Sequence, residues 1–174
     1  AHRVCLLEAG PRDRNLAIQV PGRLERLAAD PRFNWSMVTE PGEGTAGRRL
    51  VIAQGRTLGG TSAINGFNYT RGQRADYDGW AALGSRGWAY ADVLPYFKRS
   101  ENRIGRADPD YRGRRGPLPI TDSDWRHPLC DAFIASAQAA GLPANPDYNG
   151  ARQEGAGYYQ RWIHKGWRIS SARA

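Results

Sequence analysis

A mixed α/β fold with long loops is predicted for this 174-residue chain, on three observations. Short apolar runs of strand type stand at residues 4–7 (VCLL) and 50–53 (LVIA). Apolar residues recur with helical period in residues 90–101 and 127–140. Between them lie segments rich in Gly, Pro and Arg, notably 41–47, 102–116 and 143–157. Irregular segments of that length in a domain commonly serve a ligand.

In chain order, residues 3–8 predict a buried strand ending in Glu8, stopped by Ala9, Gly10 and Pro11. Residues 21–30 (PGRLERLAAD) predict a short helix: Pro21 is near its start, Leu24, Leu27 and Ala28 share a face, and Asp30-Pro31 ends it. Residues 33–40 predict a strand or extended arm with Phe33, Trp35 and Met37 on one side. Residues 76–83 open a helix around Trp80. The stretch 90–101 predicts a helix with Asp92 at its start, an apolar face of Val93, Leu94 and Phe97, and Pro95 tolerated early. Residues 102–116 predict a polar loop and 116–121 (GPLPIT) an extended segment. His127 enters the next helix, where Pro128 suits the first position. Leu129, Phe133, Ile134 and Ala137 form its face, and Gly141 stops it. Residues 158–163 read as an aromatic strand, followed by a turn at Lys165 and Gly166. The two cysteines, Cys5 and Cys130, sit in apolar settings and are expected to be core thiols.

Composition excludes more than it assigns. No run approaches the ~18 apolar residues of a membrane span. The first ten residues, AHRVCLLEAG, lack the apolar core of a signal peptide. Net charge is +8, but 23 of the 25 basic residues are Arg and they are scattered along the whole chain. That distribution argues against a nucleic-acid patch and stays compatible with an anionic ligand. Three scattered histidines (His2, His127 and His164) and two distant cysteines offer no metal-ligand spacing. There is no G-x-S-x-G nucleophile elbow. Trp80, Trp88 and Trp125 are expected to be packing anchors. Trp162 and Trp167, beside Arg161 and Arg168, could form a base-stacking strip, although core packing is the preferred reading.

The informative stretch is GRTLGGTSAINGFNYTRG at 55–72. Glycine lets a backbone approach a ligand closely. As a P-loop it fails: the lysine that should follow Gly60 is Thr61, so the phosphate-neutralising cation is missing. As a dinucleotide fingerprint, residues 59–66 have the wrong spacing, and no G-x-G-x-x-G is expected elsewhere in the chain. Glu8 at a strand end would suit the acid that binds a ribose hydroxyl, provided that a first strand and glycine turn precede it.

VCLLEAGP, NW with TEP, residues 55–78, GPLPIT, NPDYNGA with QEGAGYYQ, and G-x-R-x-S-x-A near the C-terminus together resemble the glucose–methanol–choline (GMC) flavoprotein oxidoreductases, above all the choline-dehydrogenase-like members. The resemblance covers essentially the whole chain. It implies a partial FAD/NAD(P)-binding Rossmann-like domain with long loops and the start of a substrate domain. The first strand with its glycine turn and the C-terminal catalytic half would lie outside the chain. It further implies FAD as cofactor and a primary, choline-like alcohol as substrate. The electron acceptor would be a quinone-type carrier or O2. The expected location is cytoplasmic, with membrane association of the parent enzyme as the alternative and a homo-oligomer as a further expected partner state.

By position, Glu8 resembles the acid on the adenosine ribose. Arg56, Thr57, Gly59, Gly60 and Thr61 match the loop on the flavin side, and Asn65, Gly66, Phe67 and Asn68 the segment lining the isoalloxazine. Ile64 occupies a place where some members carry a histidine bonded to FAD, so the cofactor should be dissociable. The family's catalytic histidine has no counterpart here, and no catalytic residue is assigned. The competing readings are a remnant that binds nothing and a basic nucleic-acid module. Loss of a central strand would also expose apolar surface and lower solubility.

Overall fold

The computed structural model describes residues 3–174, which fall into two units: the chain up to Phe67 together with Ile163–Ala174, and Asn68–Trp162. Helices and strands are mixed, and all sheets are two-stranded.

In the first unit, α1 (Leu16–Gln19) is capped by Asn15, whose Oδ1 accepts the Ala17 N–H at 2.8 Å. A 3-10 turn (Pro21–Arg23) leads into α2 (Leu24–Ala28), so the helix predicted over 21–30 is present with a 3-10 first turn and ends two residues early. Ile18, Leu27, Phe33, Ala63 and Ile64 make the apolar core. Residues 33–40 form a hairpin with the LVIA run: β1 (Met37–Val38) pairs antiparallel with β2 (Val51–Ile52), Met37 opposite Ile52. The ladder is extended by Trp35 N–H to Gln54 O at 2.9 Å and Thr39 N–H to Leu50 O at 3.0 Å. Ser36 has φ +47°, which breaks the predicted alternation. Phe33 is buried while Trp35 and Met37 are about half exposed, so the three do not share one buried face. A second hairpin joins β5 (Ile163–His164) to β6 (Trp167–Arg168). Its turn residues, Lys165 (φ +50°) and Gly166 (φ +80°), are both left-handed, as a two-residue hairpin turn requires.

Three expectations for this unit are corrected. Residues 3–8 form no strand: Val4, Leu6 and Leu7 are more than three-quarters exposed. A strand needs a hydrogen-bonding neighbour, and none of the described residues supplies one. Cys5 is consequently exposed, not a core thiol. The spacing G-x-G-x-x-G does occur, at Gly42, Gly44 and Gly47. It lies in the β1–β2 hairpin loop, around a 3-10 turn (Glu43–Thr45), and leads into a strand. A pyrophosphate turn must open a helix, so this one does not qualify.

The second unit holds α3 (Arg74–Ala82), α4 (Tyr90–Ser100) and α5 (Pro128–Ala139). Asp76 Oδ2 accepts the Gln73 N–H at 2.7 Å, and Asp92 Oδ2 the Ala89 N–H at 3.2 Å, each from the first turn of its helix. His127 caps α5 through Nδ1, which accepts the Leu129 N–H at 3.2 Å. Gly141 (φ +97°) ends that region. The face of α5 differs from the prediction. Leu129 and Phe133 are both 73% exposed, while Cys130, Ile134 and Ala137 are partly covered. Trp80, Trp88 and Trp125 are likewise about half exposed. Trp80 touches Tyr77 and Trp88 edge-on, at 5.2 and 5.9 Å between ring centres.

The segment 102–116 is not a plain loop. Glu101–Arg103 forms β3, parallel to β4 (Leu118–Ile120), and Arg103 and Arg112 are buried. Residues 158–162 make isolated bridges, including Arg161 to Thr121 and to Asn68, and no continuous strand.

The interior of this unit is largely ionic. Glu101 accepts from Arg112 Nε at 2.7 Å and from Arg71 Nη2 at 2.8 Å, and Arg112 also meets Asp147. Burial pushes the Glu101 carboxyl up, but the hydrogen bond from Arg112 and the two guanidinium charges outweigh it and hold it below the usual range. Burial raises the Tyr69 phenol to about 12.

Candidate functional site

The loop at 55–67 closes on itself. Gly55 lies so near Gly60 that a Cβ on it would sit 2.3 Å from the Gly60 carbonyl carbon. Thr61 Oγ1 accepts the Gly55 N–H at 3.1 Å and donates to Gln54 Oε1 at 3.0 Å, tying the ring shut. Gly59 (φ +95°) and Gly60 (φ +55°) are consecutive left-handed residues, and a 3-10 turn (Gly60–Ala63) follows. Nothing lies within 4 Å of where a Cβ on Gly60 or Gly66 would be.

The turn after Glu8 meets this ring. The Pro11 carbonyl accepts from Thr57 Oγ1 at 2.8 Å and from the Leu58 N–H at 3.0 Å. Gly10 passes so close that a Cβ would come within 2.0 Å of the Arg56 carbonyl oxygen. Glu8 itself is exposed, and its Oε1 accepts the Gly10 N–H at 2.8 Å. Thr57 is fully buried and its hydroxyl is committed to Pro11, so its part is to fix the loop. Arg56 donates its N–H to Phe33 O at 2.7 Å and lays its guanidinium over Trp35, 4.9 Å from the ring centre. Its Nε is buried without a partner.

Ile64 is buried in the apolar core. Asn65 Oδ1 accepts the Phe67 N–H at 3.1 Å, and Phe67 holds φ +69°, an unusual value for a non-glycine residue. The Gly66 N–H meets no acceptor among the described residues. Asn68 opens the second unit, where its carbonyl accepts from Trp162 Nε1 at 3.2 Å.

Sequence reasoning missed what supports this loop. Ser62 Oγ donates to Gly59 O at 2.6 Å, Ser171 N–H donates to Ser62 Oγ at 2.9 Å, and Ser171 Oγ donates to Gly59 O at 3.2 Å. Arg168, 1% exposed, lies beneath. The G-x-R-x-S-x-A motif marked Arg168 without giving it a role, and Ser171 falls at one of its open positions. Burial of Arg168 also removes it from any base-stacking strip. Arg71, Arg103 and Arg112 are similarly spent inside the fold. Among the described residues there is no group of His, Cys, Asp and Glu that could hold a metal ion, and no helix long and apolar enough to cross a membrane.

The glycine ring is closed by its own hydrogen bonds and open at Gly60 and Gly66, with the buried, unpartnered Arg56 Nε and Arg168 Nη2 in the same unit. Comparison with known proteins narrows the class. The family model described as GMC oxidoreductase matches residues 27–174, and the chain belongs to that family.

It is 44% identical over 173 residues to an oxygen-dependent choline dehydrogenase of Brucella anthropi, covering 99% of this chain and 31% of that protein. A protein of the same description from Rhizobium rhizogenes is 42% identical, over 98% of this chain and 31% of its own length. The chain thus spans about a third of the curated relatives it matches. Among solved structures, pyridoxine 4-oxidase from Mesorbium loti superimposes with a TM-score of 0.88 at 32% identity, over 96% of this chain and 33% of that one. An FAD-dependent oxidoreductase from Chaetomium thermophilum gives 0.81 at 31%, over 95% and 30%.

Proposed function

We propose that this chain provides the flavin-side clasp, and the ribose-binding acid, of an FAD-dependent oxidoreductase that acts on the CH–OH group of primary, choline-like alcohols. The observation that carries the reading is the interlock between the turn after Glu8 and the glycine ring. It joins in one unit the two segments that the family resemblance assigns to opposite ends of the cofactor. The substrate class follows the choline dehydrogenases to which the chain is 41–44% identical. The electron acceptor is a quinone-type carrier or O2.

The residues present fit an FAD. Glu8 keeps an acceptor oxygen free for a ribose hydroxyl, since only Oε1 is engaged. Gly60 and Gly66 leave the backbone open to the ligand, and the Gly66 N–H is available to a polar ring atom, while Gly59 (φ +95°) is required by its turn and by its approach to Ser170 and Ala172. Arg56 and Thr61 hold the ring closed through Phe33 and Gly55. Asn65 and Phe67 shape the segment that would line the isoalloxazine, and Asn68 continues it. When bound, the flavin supplies two-electron oxidation of the alcohol carbon. The chain's own contribution is binding and orientation, and none of its residues is assigned the alcohol's proton.

The test is direct. The purified chain, mixed with FAD and dialysed, should retain absorbance near ~450 nm, the band of the cofactor itself. Acid precipitation should then release all of the flavin, because Ile64 cannot bond to it. A colourless protein after dialysis would sink the reading and leave the non-binding remnant.

A further inference from the structure

Arg168 is a buried cation without a counter-ion. Its guanidinium forms no ion pair among the described residues, and the nearby Asp13 carboxylate instead accepts from Ser170 Oγ at 3.2 Å. Its hydrogen bonds all run to neutral oxygens. Nε donates to the Ile18 carbonyl at 2.9 Å. Nη1 donates to the carbonyls of Ser62 at 3.1 Å and Asn65 at 2.9 Å, and to Asn65 Oδ1 at 3.1 Å. Its Cζ stands 3.9 Å from the centre of the Phe67 ring, and Nη2 is buried with no partner. Burial lowers its pKa to about 10, so it stays protonated at neutral pH.

Leaving a charge this deep without an acid is costly. A neutral core side chain would satisfy packing, but no neutral side chain reaches three carbonyls and an aromatic face together. Ile18 belongs to the core, while Ser62, Asn65 and Phe67 belong to the loop. The fork therefore adds a polar tie between the loop and the core, beside the packing of Ala63 and Ile64, at the segment where Phe67 is held at positive φ.

We infer that Arg168 is the positioning residue of the 62–67 segment: its guanidinium, anchored on Ile18, holds the Ser62 and Asn65 carbonyls and the Phe67 ring so that the open Gly66 edge is presented to the isoalloxazine. This rests on the flavin reading above. It assigns Arg168 no part in the chemical step.

The experiment uses Arg168→Lys and Arg168→Gln in the 174-residue chain, with two readouts. Amide hydrogen exchange reports the loop without cofactor. FAD titration, followed by absorbance and flavin fluorescence, reports the site. Both variants should keep the helical circular dichroism, lose protection at Asn65 and Phe67 relative to Leu58, and bind FAD at least tenfold more weakly, about 1.4 kcal/mol. The bound flavin spectrum should shift toward that of free FAD. Lysine should not rescue, because one ammonium cannot span three carbonyls. Native exchange at Asn65 and Phe67, or unchanged FAD affinity and spectrum, would overturn the inference. Should both variants unfold, Phe67→Leu removes the ring under the guanidinium and leaves the fork intact. It must then loosen the segment and weaken FAD, or the inference fails. If the native chain takes up no FAD, the functional reading falls with the flavin half of this inference, while exchange still decides the holding of the loop.

Discussion

Arg112 Nε and Glu101 Oε1 meet at 2.7 Å with both side chains wholly removed from solvent. The same carboxylate takes Arg71 Nη2 at 2.8 Å and the Gly113 N–H at 2.9 Å. One buried acid thus serves two buried guanidinium groups in the second unit, and replacing it leaves Arg71 without an acid and Arg112 with Asp147 alone. Glu101→Gln should cost about 3–5 kcal/mol in a urea titration of this unit. A loss below about 1 kcal/mol would show that the network is solvated.

The same acid predicts a pH dependence. Its folded pKa lies below its unfolded value, so the unfolded chain takes the proton first. The stabilisation is fully present above the unfolded value of ~4.3 and is lost as pH falls through the lower folded value. Melting temperature should drop on acidification below pH ~4.3, and the slope should flatten in Glu101→Gln. Equal slopes in the two proteins would assign acid unfolding to other groups.

Asn149 is 3% exposed and ties its own loop to the main chain at 69–71. Its Nδ2 donates to Tyr69 O at 3.0 Å, and its Oδ1 accepts the Arg71 N–H at 2.8 Å. Asn149→Ala strands both groups, at about 1–3 kcal/mol each. Proteolysis near residues 69–71 in the folded protein should rise accordingly, and an unchanged digestion pattern would count against it.

Gly55→Ala places a methyl against the Gly60 main chain and should open the glycine ring. A stability loss of about 1–3 kcal/mol is expected from overpacking, with FAD retention lost as well. Gly22→Ala meets nothing within 4 Å and serves as the control, changing neither. Loss of FAD in both variants would remove the special role given to Gly55.

Two apolar residues separate periodicity from burial. Leu27, fully buried, should lose about 2–5 kcal/mol on change to Ala. Phe133, 73% exposed, should change stability by no more than about 0.5 kcal/mol on change to Ser. A large loss at Phe133 in thermal melts would mean that another surface covers it in solution.

Local physics wrote much of this structure into the sequence. Asp92, Pro128 and Gly141 set helix ends within the reach of one or two residues, so α4 and α5 fall where periodicity puts them. The glycines of GRTLGG announced a backbone that must turn left-handed and pass close to something, and the whole stretch carried the family resemblance. What tertiary structure alone decided was which side chains share an interior. Nothing local to Arg168, Arg112 or Glu101 distinguishes them from the chain's many exposed charges. They are buried because carbonyls and carboxylates as much as 150 positions away come to meet them. The apolar run at 4–7 shows the converse: its pattern is that of a strand, but a strand exists only where a neighbour accepts its hydrogen bonds. Charge pairing and strand pairing are contacts between distant parts of the chain, and a linear pattern records only the partner that is near.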